Sequence, residues 1–297
     1  MKLPQTTSAV LGTCLLTAGL STQAQVLLND TWADGSRTEQ NLPTESQWFN
    51  GGTGATLTPS VGHLVMGVPA TSSASWTTYF AAEGSEATLA NTGDTIKLTW
   101  TFTPANVNLN NTSQNFRLAL VNTPGADRLA ADGAPGTAAY TGYGMFMNLG
   151  QTLGNSNPFR LMERNVASGA MLGTSGDWAG LANGATSGNH GYDSGTAYTL
   201  EMTLTRNALS GLDFLVTMTG GTLNNSGSAS LTFTDATPNS FSFDTFSLRP
   251  SGASTTADSF DTTLVKVELS QVPEPTTATL LGMGLLGIYS AYRRSRQ

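Results

Sequence analysis

The sequence predicts an all-β protein: one antiparallel β-sandwich of the jelly-roll kind, followed by a single transmembrane helix at the C-terminus. Three observations lead there. Apolar residues recur at every second position in a series of short runs, the period of half-buried strands. Only 11% of the 297 residues are charged, where a soluble domain carries about 25%, so little Glu, Lys or Arg is available for the wet faces of long helices. The 33 glycines, with abundant Ser, Thr and Asn, supply turns instead. Hydrophobic residues make up 39% of the chain, enough for a sizeable core and too many for charge-driven disorder.

The first element is a leader. Lys2 precedes an apolar run through Ala9, Val10, Leu11, Leu15, Leu16, Ala18 and Leu20, and Ser21-Thr22-Gln23-Ala24 closes it with small residues. These are the parts of a secretory signal peptide over 1–24, cleaved after Ala24. Cys14, the single cysteine, lies inside the apolar run behind Thr13, which does not fit a lipidation site. The mature chain then has no cysteine, which removes disulfides, thiolate zinc sites and cysteine nucleophiles together.

Strands follow. Ile96, Leu98, Trp100 and Phe102 alternate with Lys97, Thr99, Thr101 and Thr103, and Pro104 ends the run. Phe116, Leu118 and Leu120 make a second strand. Tyr143, Met145, Met147 and Leu149 make a third, with Phe146 adding an apolar residue to its other face. Tyr198 to Leu204 and Leu212 to Met218 flank a turn at 207–211. Leu231/Phe233, Phe241/Phe243, Phe246/Leu248 and Leu264 to Leu269 complete the set. No composition break or repeat interrupts 25–270, so one ectodomain is expected. Gly/Ser/Asn-rich stretches at 122–142 and 173–195 exceed the usual loop ceiling of about 12–15 residues, the mark of binding loops or of further strands.

The last segment, 271–297, has three parts. Val272-Pro273-Glu274-Pro275 comes first, then an uncharged run over 276–292, then Arg293, Arg294 and Arg296 in a basic tail over 293–297. As a helix the run covers roughly 25 Å, the short end of a membrane span. Basic residues stay on the cytoplasmic side, which puts the ectodomain outside. The three parts, in that order, resemble the PEP-CTERM protein-sorting signal of Gram-negative bacteria. The resemblance implies export, anchoring in the inner membrane, cleavage near Pro-Glu-Pro by an exosortase (a membrane cysteine transpeptidase), and association with extracellular polysaccharide. The two prolines keep the motif extended, as a protease site requires. The ectodomain is similar to the concanavalin A-like or LamG-like jelly rolls of secreted bacterial proteins. The similarity lies in Asp30-Thr-Trp-Ala-Asp34-Gly35-Ser-Arg37-Thr38, Asn115-Phe-Arg-Leu-Ala-Leu120, Phe243-Asp-Thr-Phe-Ser-Leu248 and Asp258-Ser-Phe-Asp261.

Charge narrows the partners. All 20 acidic residues lie within 25–275, while Lys2, Arg293, Arg294 and Arg296 lie outside it. That leaves nine of the 13 basic residues and a net charge near −11 on the body. Nucleic acid and anionic lipid surfaces are excluded as partners of such a body. Catalysis is not expected. The Glu-x-Asp-x-x-Glu spacing of sandwich glycosidases is missing, Glu163 and Glu201 each stand alone, and Glu83 and Glu86 sit in a polar stretch. The two histidines, His63 and His190, form no His-Glu-x-x-His helix. Gly173-Thr-Ser175-Gly176 lacks the last glycine of a nucleophile elbow, because Asp177 takes its place.

Two binding possibilities stand. Trp178 and Tyr192 share a Gly-rich segment with Asp177, Asn189, His190 and Asp193. These rings are either packing lids over an end of the sandwich or stacking platforms for a polysaccharide, with the polar residues on its hydroxyls. Asp30, Asp34, Asp258 and Asp261 can hold a structural Ca²⁺ if the ends of the domain meet. The expectation is an exported, membrane-tethered surface or matrix protein that is a substrate of a sorting enzyme; a lectin-like module is the alternative.

Overall fold

The computed structural model describes residues 23–109, 111–166 and 168–273. Its strands, in chain order, are β1 (Gln23–Asp30), β2 (Trp48–Gly51), β3 (Thr56–Ser60), β4 (His63–Gly67), β5 (Ser75–Tyr79), β6 (Ala87–Thr88), β7 (Thr95–Ala105), β8 (Phe116–Asn122), β9 (Thr141–Met147), β10 (Phe159–Arg164), β11 (Trp178–Asn183), β12 (Tyr198–Arg206), β13 (Leu212–Thr219), β14 (Ser228–Asp235), β15 (Ser242–Phe243), β16 (Thr245–Pro250) and β17 (Ser259–Gln271). Helical structure among the described residues is confined to 3-10 turns at Gly125–Asp127, Ser175–Asp177 and Leu223–Asn225. None of the described residues forms a helix long and apolar enough to cross a membrane. The expected helix over 276–292, the basic tail and nearly all of the leader lie outside the described residues.

Two sheets carry the compact unit Gln23–Val272. Sheet A has the order β14-β13-β12-β7-β17-β4-β3, with β1 also on β17; sheet B has the order β11-β10-β9-β8-β16-β5-β2. A short ribbon, β15-β6, stands apart. The strand pairings are antiparallel. The expected all-β antiparallel sandwich is therefore the observed one.

The inward residues of the period-two runs form one core. Ile96, Leu98, Trp100 and Phe102 from sheet A meet Phe116, Leu118, Leu120, Tyr143, Met145 and Phe246 from sheet B. The Trp100 ring stacks on Phe102 at 4.0 Å and on Phe116 of the opposite sheet at 5.5 Å. Tyr143 meets Phe214 edge to face at 4.6 Å. Such ring pairs add about 0.5–1.5 kcal/mol each beyond area burial.

Several boundaries differ from expectation. Pro104 does not end β7 but pairs with Phe260 of β17. On the other side β12 stops opposite Phe102, so the missing N–H interrupts no ladder there. The stretch 173–195 contains β11, whereas 122–142 is loop apart from one turn and the adjoining strand ends. Strand β5 is buried at all five positions, so its Ser and Thr residues carry no alternation for a sequence to show.

A second, smaller apolar cluster explains the long loops. Ala119, Val121, Phe146 and Met162 face outward from sheet B and are covered by Tyr140, Met171, Leu172 and Trp178. The segments 123–140 and 165–177 thus lie over the outer face of sheet B. Arg164 fastens the second segment, donating to the carbonyls of Val166, Gly169, Ala170 and Met171 at 2.9–3.2 Å.

Candidate binding site

The loop after β8 brings Arg128 and Leu129 to the edge of sheet B formed by β2 and β5. Phe49 and Tyr79 stand on the outer face there, edge to face at 5.7 Å. Arg128 lies over the Tyr79 ring, 4.3 Å from its centre. Its Nη2 donates to the Ala81 carbonyl and stands 3.5 Å from Asp244 Oδ2. The Leu129 N–H donates to the Tyr79 hydroxyl at 2.7 Å. From the opposite side, the loop after β1 contributes Gln40, whose Nε2 donates to the Tyr79 carbonyl at 2.8 Å and whose Oε1 accepts the Gln47 N–H at 2.9 Å. A two-pronged Arg37–Asp132 pair, at 3.0 and 2.9 Å, clips the two loops together.

Between these groups is a cavity of about 460 Å³, lined by Gln40, Gln47, Phe49, Tyr79 and Arg128 with Leu42 and Leu129 on its apolar side. Burial raises the Asp244 carboxyl above the usual range, against the pull of the Thr245 hydroxyl, the Thr123 N–H and Arg128. Burial likewise raises the Tyr79 hydroxyl. The side-chain amide of Gln47 bonds no described group. The lining offers amide and guanidinium donors beside apolar surface, the make-up of a pocket for a small polar ligand. It holds no nucleophile with a neighbouring base. The sequence gives little sign of this site beyond adjacent aromatics at Trp48-Phe49 and a lone arginine among small residues.

The residues expected to bind sugar are not assembled. Trp178 is 4% exposed and Tyr192 1%, and they belong to different clusters. Trp178 donates its indole N–H to the Met171 carbonyl at 3.1 Å and packs on Phe146 and Arg164. Tyr192 packs on Tyr198 in the main core at 4.9 Å. Of the two possibilities the structure takes the lid: neither ring offers a face to a ligand. Asp177 faces Arg164 at 3.7 Å. Asn189 is bonded to Asn224 and Asn225, and Asp193 accepts from His190 Nε2 at 2.9 Å.

The four aspartates expected to hold calcium do not converge either, although the ends of the domain do meet, with Asp30 opposite Val265. Asp30 is 1% exposed and accepts from the Trp32 N–H, the Ser46 N–H and Trp48 Nε1. Its oxygens are thus taken by N–H donors, and burial lifts its carboxyl to about 6 from the ordinary 3.8. Asp258 holds Asn106, and Asp261 lies 3.0 Å from His63 Nδ1. Such a set does not fit a cation. Among the described residues the trio of carboxylates that comes together, with oxygens within 4.8 Å, is Asp34, Glu39 and Glu45.

Glu163, solitary in sequence, has company in the fold. The Tyr143 hydroxyl donates to Asp235 at 2.7 Å and stands 3.5 Å from Glu163, which also accepts the Asn239 N–H at 3.0 Å. Burial, with the charge of Asp235 adding to it, raises the Glu163 carboxyl. The cluster ties β9 and β10 of sheet B to β14 of sheet A. Glu201 is paired with Lys97 on sheet A.

At the C-terminal exit of the body, the Val272 N–H donates to Asp94 Oδ1 at 2.8 Å, and Asp94 is fully buried. Pro273 is the last described residue; Glu274, Pro275 and the arginines lie beyond it. At the other end Ala24 pairs with Ser270 in β1. Residues 271–296 match the PEP-CTERM protein-sorting motif, so the C-terminal segment is a sorting signal of that kind. No curated protein matches the chain at a significant level. Among solved structures, the chain is similar to the exoplasmic/lumenal domain of VIP36 in its Ca²⁺/Man2-bound form, at 12% identity over 82% of this chain and 88% of that one, with a TM-score of 0.48. It is similar to the potassium-bound carbohydrate recognition domain of Emp46p, at 13% identity over 82% and 95%, with a TM-score of 0.43. It is also similar to a protein of unknown function from Shewanella oneidensis MR-1, at 12% identity over 92% and 100%, with a TM-score of 0.41.

Proposed function

We propose that this chain is an exported cell-surface or extracellular-matrix protein without catalytic activity of its own. Its C-terminal segment tethers it to the inner membrane with the sandwich outside the cytoplasm, and an exosortase processes it near Pro273-Glu274-Pro275, with release to the surface or matrix afterwards. The observation that carries this reading is the sorting motif over 271–296. The Asp94–Val272 bond supports it, since it ties the chain to the body one residue before Pro273. Replacing Pro273 and Pro275 by alanine tests it. Immunoblots of membrane and culture fractions should show the uncut chain accumulating at the membrane; an unchanged size and distribution would leave a plain anchor and no sorting.

A second reading, carbohydrate binding by the ectodomain, is favoured by the cavity under Arg128 and not by Trp178 or Tyr192. Gln47→Ala removes a free amide from that cavity without breaking a side-chain bond. It should weaken retention on extracellular polysaccharide; equal retention by both proteins counts against this cavity. A structural Ca²⁺, on this reading, belongs to Asp34, Glu39 and Glu45, which the loop after β1 brings together.

A further inference from the structure

A second cavity, of about 200 Å³, lies on the outer face of sheet B, beneath the two covering segments. Ser75, Ser247 and Arg249 form its floor, and Ala134, Met171 and Gly173 its roof. Arg249 of β16 stands directly opposite Arg117 of β8 in the strand register. Like charges in that position repel, because cross-strand Cβ atoms are only about 4.5–5.5 Å apart.

Arg117 has a structural task. It donates to the carbonyls of Leu172 and Gly173 at 2.9 and 3.3 Å and covers the Phe146 ring at 4.8 Å. Arg249 has none: it makes no hydrogen bond or ion pair with any described residue. Burial lowers the proton affinity of both, and for Arg117 the charge of Arg249 adds to the effect. The acid-rich body does supply carboxylates to Arg37, Lys97, Arg128, Arg164 and Lys266. It places none against the Arg117–Arg249 pair. Two half-buried guanidinium groups side by side, with the buried Ser75 hydroxyl bonding no described group, cost stability as they stand. An oxyanion removes that cost, since a guanidinium fork binds two oxygens at once.

We propose that this cavity is a binding site for a small oxyanion, a carboxylate or sulfate group, held by the Arg249 guanidinium, whose charge it screens from that of Arg117. The anion is either free or carried on an acidic sugar. The proposal stands independently of the sorting reading. The full chain in zwitterionic detergent is titrated by calorimetry with sodium sulfate, sodium glucuronate and glucose, against sodium chloride at matched ionic strength. Sulfate or glucuronate should bind with unit stoichiometry, while glucose and chloride give no heat of binding. Tighter binding of sulfate assigns a free anion; tighter binding of glucuronate assigns an anion carried on sugar. Arg249→Gln should weaken that binding by at least about tenfold, the loss of a charged hydrogen-bond donor, with a melting temperature equal to or above that of the parent, because Arg249 braces nothing and its charge repels Arg117. If that variant melts lower, Arg249→Lys decides: it keeps the charge but loses the fork and should also bind more weakly. Equal responses to chloride and sulfate, no binding of either oxyanion, or full affinity in both Arg249 variants would overturn the proposal.

Discussion

The two outer faces of the sandwich are built from strands of the same kind and treated in opposite ways. Among the described residues the outer face of sheet A is bare. Thr101 and Thr199 share a hydroxyl bond at 3.0 Å, as do Thr95 and Thr205 at 2.9 Å, and Thr219, Thr232 and Thr234 lie exposed. Lys97 and Glu201 form their ion pair in solvent. Sheet B carries Ala119, Val121, Phe146 and Met162 outward instead, and long loops cover them. Two cavities, at Arg128 and at Arg249, lie on this covered side, while a third, of about 200 Å³, opens beside β1 and is lined by Leu27, Leu42 and Phe80. A strand that is apolar on one face needs only the core beneath it. A strand that is apolar on both faces needs a second cover, and a loop serving as a cover leaves gaps between its side chains and the sheet. The difference teaches where this protein has room for ligands.

Trp178→Ala is the most severe way to break the comparison. It removes the ring that joins the covering segment to Phe146 and Arg164, and should cost about 3–5 kcal/mol, read as a lower urea midpoint with faster proteolysis within 165–177. A loss below about 1 kcal/mol would mean that the cover is not part of the folding unit.

Next comes the carboxylate that spans the sheets. Asp30, on β1 of sheet A, bonds Trp48 of β2 on sheet B, and its carboxyl titrates near 6 when folded against 3.8 when free. The folded state therefore holds the proton more tightly than the unfolded one. The stabilisation is complete below pH 4 and is lost as the pH rises through about 6, a change of about 3 kcal/mol. Unfolding midpoints measured from pH 4 to 7 should fall over that window, and Asp30→Asn should flatten the slope. Burial raises Glu163 and Asp244 in the same direction, so a shallow residual slope is expected in the variant.

The smallest effect belongs to the bare face. Thr232→Ala, on the exposed side of β14, should change stability by no more than about 0.5 kcal/mol. A larger loss would show that sheet A's outer face is packed against something, and the contrast between the faces would fail.

Much of this fold is legible in the chain. Runs such as Ile96 to Phe102 and Leu212 to Met218 announce themselves, because one side meets the core and the other meets water. Phe146, apolar where the alternation asks for a polar residue, is a visible hint that sheet B has a cover, as are Val121 and Met162. Strand β5 is hidden for the opposite reason: with both faces buried, Ser75-Trp-Thr-Thr-Tyr79 loses its period. Trp178 and Tyr192 look like free rings in a Gly-rich segment, since sequence cannot show that Phe146 and Tyr198 lie beneath them.

Local chemistry settled the C-terminal sorting motif and the class of the body. A Pro-Glu-Pro motif with arginines behind it and alternation at period two are each properties of neighbouring residues. The partners of charged groups were settled only by tertiary structure. Asp30 meets Trp48, Glu163 meets Asp235, and Arg117 meets Arg249 through register and loop closure over long separations. Those encounters decide which carboxylates are buried, why the expected calcium aspartates stand apart, and where a guanidinium is left facing a cavity.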